Sequence, residues 1–231
     1  MTGSACLKYI DSAIISKGLC GGVSIRRDYA AELALIPWGK NDILLILQKS
    51  TDNGGMVMKR LEDYVRSIPD FPEEGIIFRD ITSVLQDADG LALAIDSMQK
   101  CLEEMDVDVI VGTESRGFIF GVPIAYNLHK PFVPVRKKGK LPCETISEEY
   151  DLEYGSSVIE MHKDSIKPGQ KVAIVDDLIA TGGTVEAAVK MVEKLGGEVV
   201  KIVFLMELAG LHGRDRLKGY QVESVIRYEG K

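Results

Sequence analysis

A chain of 231 residues that is 45% apolar has enough hydrophobic content for one sizeable core with an appendage. Its net charge of −7 argues against broad nucleic-acid binding, so an anionic ligand would be held by local amides and a few selected cations. The four cysteines, Cys6, Cys20, Cys101 and Cys143, form no C-x-x-C pair and no zinc spacing, which predicts reduced thiols in a cytoplasmic protein. His129, His162 and His212 lie in separate segments without metal-ligand spacing. The apolar run at 43–47 is too short for a membrane span, and it follows Arg26 and Arg27 too late to be a signal peptide.

Residues 1–57 show no repeat, no metal motif and no sustained helical period, and lack the basic recognition helix of a winged-helix module. STDNGG at 50–55 reads as a linker or turn. The expectation is an amino-terminal extension of low order ahead of one domain over 58–231. Gly54-Gly55 can be encoded as GGA-GGN, a ribosome-binding sequence close before Met58, so a misannotated start with Met56 or Met58 as the true first residue is a second expectation. The competing one is an added module that packs through 43–47.

From Met58 the pattern changes. Leu61, Tyr64, Val65 and Ile68 recur at i, i+3, i+4 and i+7, predicting a helix that Pro69 and Pro72 end. DFPEEGIIFRD at 70–80 turns at Pro72 and Gly75 before a short apolar piece. It reads either as an edge strand with an Arg79–Asp80 ion pair or as a hood over a planar base, with Phe78 or Arg79 free to stack. Leu91, Ile95, Met98, Leu102 and Met105 mark an amphipathic helix introduced by Asp87.

A buried strand at 107–112 opens onto Thr113-Glu114-Ser115-Arg116-Gly117 and a helix over 118–129. That loop is a candidate anion site with Arg116 as fixed cation; the alternative pairs Arg116 with Glu114. A strand at 131–135 runs into Arg136-Lys137-Lys138-Gly139-Lys140, read as a solvated face or a pyrophosphate clamp. The polar segment 141–153 reads as a long lid loop, and 154–159 begins a return strand.

KVAIVDDLIATGGT at 171–184 organises the chain. Val172 to Val175 suit a strand buried on both faces, and Asp176 and Asp177 follow at its carboxyl end, where open α/β sheets place their ligands. Thr181-Gly182-Gly183-Thr184 then turns into a helix over 185–195. Glycines allow a close backbone approach, and a helix N-terminus attracts an anion, so the loop forms a cradle for a phosphate monoester. The acids can accept from sugar hydroxyls or ligate a hard cation such as Mg²⁺. A strand at 199–205 leading to Glu207, a short helix over 208–218 and a strand at 222–228 complete the chain. The alternation predicts an α/β fold, a doubly wound, mostly parallel sheet flanked by helices.

The 171–184 stretch resembles the phosphoribosyl pyrophosphate signature of the type I phosphoribosyltransferases. With FPEEGIIFRD (71–80), GTESRGFIFG (112–121) and PVRKKGKLPCETISEEYDLEYG (134–155), the chain is similar to their adenine-specific branch. The resemblance implies AMP formation from adenine and phosphoribosyl pyrophosphate, a small hood and a flexible lid. It implies that Ile77, Phe78 and Arg79 border the base, and that Glu114, Ser115 and Arg116 form the pyrophosphate loop, with a cis Glu114–Ser115 bond. Arg136 and Lys137 would contact pyrophosphate, Glu153 and Tyr154 would carry the catalytic lid, and Asp176 and Asp177 would hold the ribose hydroxyls. Ala180, Thr181, Gly182, Gly183 and Thr184 would bind the 5′-phosphate. Mg²⁺ carried by the substrate near Asp176 and Asp177, and a homodimer, are implied as well. Two other readings stay open: a non-catalytic phosphoribosyl pyrophosphate sensor, and an enzyme for another purine base.

Overall fold

In a computed structural model, the described residues are 59–151 and 156–230, preceded by four short strands. The chain divides into two units, Met1–Arg60 and Leu61–Lys231. In the first, β1 (Ala13–Lys17) pairs antiparallel with β2 (Val23–Arg27), and β3 (Ile36–Trp38) with β4 (Asp42–Leu44). The linker reading at 50–55 and most of the 43–47 run lie outside the described residues.

The second unit begins with a 3₁₀ turn, Leu61–Tyr64, and then a two-stranded antiparallel sheet of β5 (Arg66–Pro69) and β6 (Ile77–Asp80). The helix predicted over 61–68 therefore exists for one turn only. Leu61, Tyr64 and Val65 are buried as their spacing demands, but the Ser83 hydroxyl takes over the backbone groups that would continue the helix. It accepts from Arg66 N–H at 2.9 Å and donates to Tyr64 C=O at 2.6 Å. Pro69 also biases Ile68 toward extended geometry.

α1 (Thr82–Leu85) leads into α2 (Ala88–Lys100), capped by the Asp87 carboxylate, which accepts from the Asp89 and Gly90 amides at 2.9 and 3.1 Å. Then follow β7 (Val109–Thr113), α3 (Arg116–Asn127), β8 (Phe132–Lys137), β9 (Thr145–Asp151), β10 (Ser156–His162), β11 (Lys171–Ile179), α4 (Gly183–Lys194), β12 (Glu198–Leu208), two 3₁₀ turns (Ala209–Leu211 and Gly213–Leu217) and β13 (Val222–Tyr228). Seven strands form one sheet in the order β13-β12-β11-β7-β8-β10-β9. The first five are mutually parallel; β10 runs antiparallel to β8 and β9.

Strand alternation divides the core between the two faces. Ala173 and Val175 join Met98, Phe120 and Ile124 from α2 and α3 on one side. Val172 and Ile174 join Val185, Val189 and Met191 from α4 on the other. Fully buried Phe120 and Phe204 each contribute about 1.5–3 kcal/mol through burial. Among the described residues no helix is long and apolar enough to cross a membrane.

The segment 141–153 is largely not the loop its polarity suggested. Residues 145–151 form β9, paired residue by residue with β10. Ile146 and Tyr150 pack on the α4-side core, and Glu148 between them accepts from Lys194 of α4. The period is two, with only the inward positions apolar. The expected single helix at 208–218 is two 3₁₀ turns broken at His212, where φ is 55°.

Candidate active site

β11 runs beyond its apolar stretch, through Asp176 and Asp177 to Ile179. Both acids are buried, at 9% and 4% exposure. The Asp177 amide donates to Asp176 Oδ1 at 2.9 Å, and Arg116 Nε stands 2.9 Å from Asp177 Oδ2. Burial pushes the Asp176 carboxyl well above the ordinary carboxylate range, and the Asp177 charge adds to the rise. Burial raises Asp177 as well, opposed by the Arg116 guanidinium. The Thr113 hydroxyl, buried beside Asp176, counters part of the first rise, although its oxygen makes no aligned hydrogen bond. Asp177 Oδ2, ion-paired as it is, also lacks one. The end of β11 therefore offers buried oxygens with acceptor capacity to spare, suited to hydroxyl donors.

The loop after β11 enters α4 through Gly182, whose φ of 81° is a left-handed conformation that favours glycine. A cleft of about 90 Å³ is lined by Asp176, Leu178, residues 179–185 and Phe204. It faces the first turn of α4, whose leading amides have no acceptor within the helix. Anion-binding chemistry and the Asp176 carboxylate thus lie within one small space, with Asp177 next in the strand and held by Arg116.

At the end of β7 the Glu114–Ser115 peptide is cis. Arg116 opens α3 and turns to Asp177, not to Glu114. Glu114 faces β8 instead, because its amide bonds Val135 O at 2.9 Å and extends the β7–β8 pairing. Its carboxylate accepts from the Lys137 amide at 2.9 Å and from Arg136 Nε at 3.2 Å, which hold it below the ordinary range. Arg136 and Lys137 thus belong to the end of β8 rather than to a free basic run.

The 66–80 hairpin forms the hood. Arg79 lies 4.0 Å over the Tyr228 ring and donates to Ser67, and Phe78 meets Phe71 edge-on at 5.2 Å. The Arg79–Asp80 pair is not formed. Asp80 accepts from the Thr82 hydroxyl and amide, with Arg66 at 3.9 Å, and these contacts lower its carboxyl, with a smaller contribution from Arg116. Ile77 is 40% exposed beside them.

The structure brings Asp176, Asp177, Arg116 and the 180–184 loop together, and it joins Glu114 to Arg136 and Lys137. Ile77, Phe78 and Arg79 stand apart on their own hairpin. Glu153 and Tyr154 lie outside the described residues. Nothing in the sequence pattern singles out Tyr228, and Thr113 and Gly117 stand within the loop read as an anion site without roles of their own. Gly117 carried a signal of sorts, as a glycine opening a helix: a Cβ there would stand 2.9 Å from Asp176 Oδ1.

Residues 80–227 match the model of the phosphoribosyl transferase domain family. The adenine phosphoribosyltransferase of Lachnoclostridium phytofermentans is 75% identical over 174 residues, 75% of this chain and 100% of that protein. That of Agathobacter rectalis is 70% identical over the same shares. Among solved structures, the adenine phosphoribosyltransferase of Thermoanaerobacter pseudethanolicus superposes with a TM-score of 0.70 at 53% identity, covering 73% of this chain and 100% of that one. The Saccharomyces cerevisiae enzyme, solved with adenine and an imino-altritol bisphosphate, gives 0.67 at 41% identity over 71% and 96%. The chain belongs to the phosphoribosyltransferase family, in its adenine phosphoribosyltransferase branch.

Proposed function

We infer that the chain transfers the 5-phosphoribosyl group of phosphoribosyl pyrophosphate to N9 of adenine, giving AMP and pyrophosphate in purine salvage. The observation that carries this reading is the buried Asp176–Asp177 pair, set beside a glycine loop at the N-terminus of α4 and faced by Arg116. The N9 lone pair attacks C1 of the ribose as the bond from C1 to the pyrophosphate oxygen breaks, and that electron pair leaves with pyrophosphate. Positive charge grows on the sugar and negative charge on the leaving group.

The residue roles follow from chemistry at each place. Asp176 and Asp177 accept from the ribose 2′- and 3′-hydroxyls. Residues 180–184 wrap the 5′-phosphate with backbone amides and the Thr181 and Thr184 hydroxyls. Arg116, Arg136, Lys137 and the Glu114–Ser115 loop face pyrophosphate. Arg116 and Arg136 are each already held by a carboxylate, which supports their reading as preorganised cations. Ile77, Phe78 and Arg79 border the base. Glu153 and Tyr154 act from the lid, Glu153 taking the N9 proton or stabilising the cationic sugar.

Magnesium fits as an ion that arrives with the substrate. Among the described residues no three His, Cys, Asp or Glu side chains converge, whereas Mg²⁺ is commonly held by one or two carboxylates plus substrate phosphates, and Asp176 and Asp177 are two such carboxylates. When bound it would neutralise pyrophosphate charge. A homodimer belongs to the same reading, supported by Ile119, Val122 and Tyr126, exposed along α3 at i, i+3 and i+7 by 39%, 48% and 83%. A cytoplasmic location is supported by the free thiols Cys101 and Cys143.

Pyrophosphate release with adenine, hypoxanthine, xanthine and guanine side by side tests the reading. Adenine should lead on the order of 10²-fold or more. Equal turnover of hypoxanthine or guanine would refute the base assignment, and phosphoribosyl pyrophosphate binding without turnover of any base would favour a sensor.

A further inference from the structure

The Gly213–Leu217 turn stands directly behind the loop at 180–184. A Cβ placed on Gly182 would come within 2.5 Å of Gly213 O. Reciprocally, a Cβ on Gly213 would fall well inside contact distance of the Ala180 carbonyl oxygen and 2.8 Å from Ile179 Cγ1. Two stretches of backbone thus touch with no side chain between them. Each can keep its shape only while the other keeps its place.

The turn is fixed from three directions. Arg214 Nε donates to both Glu207 oxygens at 2.9 and 2.8 Å. Its Nη1 reaches Val222 O at 2.8 Å, and its Nη2 stands 2.7 Å from Glu207 Oε2 and 3.1 Å from Ser224 Oγ. All three guanidinium nitrogens are therefore engaged within the protein, which makes Arg214 a clamp and not a free cation for phosphate. Glu207 itself is buried and sits opposite Ile179 in the β11–β12 register, at the level where β11 gives way to the loop. Arg216 reaches Glu186 in the first turn of α4 at 3.1 Å. Leu217, 2% exposed, is buried in the α4-side core.

We propose that Gly213 and Arg214 are positioning residues: the turn they hold shapes the 180–184 backbone from behind, and so sets affinity for the 5′-phosphate end of the substrate. This rests on the reading of 180–184 as the 5′-phosphate loop. Neither residue touches substrate; each acts through the loop. Gly213→Ala inserts a methyl against Ala180 O and displaces the loop. Arg214→Lys keeps a charge but loses the planar fork that reaches Glu207, Val222 and Ser224 together.

Calorimetric titration with ribose 5-phosphate and, separately, with inorganic pyrophosphate distinguishes positioning from general loosening. For Gly213→Ala, ribose 5-phosphate affinity should fall roughly 10- to 100-fold, because small misplacements of a binding loop cost that much. Pyrophosphate affinity should hold. Arg214→Lys should show a smaller loss with the same selectivity, and it decides alone if Gly213→Ala does not fold. Thr184→Ala serves as the control on the loop itself. Unchanged ribose 5-phosphate affinity in Thr184→Ala would defeat the loop reading. A weakened control together with parental ribose 5-phosphate affinity in both Gly213→Ala and Arg214→Lys would overturn the positioning proposal alone. An equal loss of both ligands would also overturn it.

Discussion

Gly117 is the second residue of α3, and a methyl group there has nowhere to go. It would stand 2.9 Å from Asp176 Oδ1, 2.9 Å from Val175 O and 3.0 Å from Thr113 Oγ1. Carbon–oxygen contacts settle at about 3.3–3.6 Å, so Gly117→Ala requires a retreat of roughly 0.4 Å on three sides at once. Val175 O belongs to a central strand, and Thr113 is buried at the end of its neighbour, so the start of α3 has to lift. Overpacking of this kind costs about 1–3 kcal/mol. In a unit of this size that lowers Tm by roughly 2–12 °C. Lifting α3 also draws Arg116 away from Asp177, and kcat/KM for phosphoribosyl pyrophosphate should fall roughly 10- to 100-fold. Circular-dichroism melting and pyrophosphate release at saturating adenine read the two effects. A variant that melts within about 1 °C of the parent and keeps its kcat/KM would refute the close approach of α3 to the acid strand.

Three further substitutions probe other parts of the site. The folded chain raises the carboxyls of Asp176 and Asp177, so it binds their protons more tightly than the unfolded chain does, and the pair loses stability as pH rises from the ordinary carboxylate range through the raised folded values. Asp176→Asn should therefore raise Tm at neutral pH, flatten the fall in Tm between mildly acidic and neutral pH, and weaken phosphoribosyl pyrophosphate binding; a lower neutral-pH Tm in scanning fluorimetry would contradict the sign. Under its proposed role Glu153→Ala should cut kcat on the order of 10²- to 10⁴-fold with little change in KM, and parental steady-state kinetics would remove Glu153 from the catalytic set. Under the proposed homodimer, Tyr126→Glu places a charge at the carboxyl-terminal end of the exposed α3 stripe and should shift sedimentation from dimer to monomer; an unchanged sedimentation coefficient would move the proposed interface elsewhere.

The parts of the fold legible in the sequence are those where one short stretch carries its own explanation. Val172 to Val175 are apolar at every position because both faces of β11 are covered, and Thr181 to Thr184 turn because two glycines allow it. Illegibility begins where a distant group decides. The 61–68 spacing satisfied a helical template, yet a hydroxyl from residue 83 took the backbone groups that a helix would use. Arg79 looked free to stack on a base, but its ring partner, Tyr228, comes from the last strand. Arg116 has Glu114 two residues away and pairs across the sheet with Asp177. The resemblance to the family supplied the cis Glu114–Ser115 bond, which periodicity could not. Gly213 had no local signal at all, since its constraint is the backbone of residue 180.

β9 closes one side of the sheet, and among the described residues it pairs only with β10. One row of its amides and carbonyls therefore meets no further strand, the arrangement by which sheets of separate molecules join into aggregates. Its composition works against that outcome. Thr145, Ser147 and Glu149 alternate with Ile146, Glu148 and Tyr150, so apolar side chains reach the core at two positions only. Glu148 is turned inward to Lys194, but Glu149 leaves an exposed negative charge beside the open edge, and a second copy pairing in register would bring the Glu149 charges together. The polarity that made this stretch resemble a loop is what a terminal strand requires to stay single. Crowded or partly refolded chains should accordingly resist association along this border, whatever face they use to assemble.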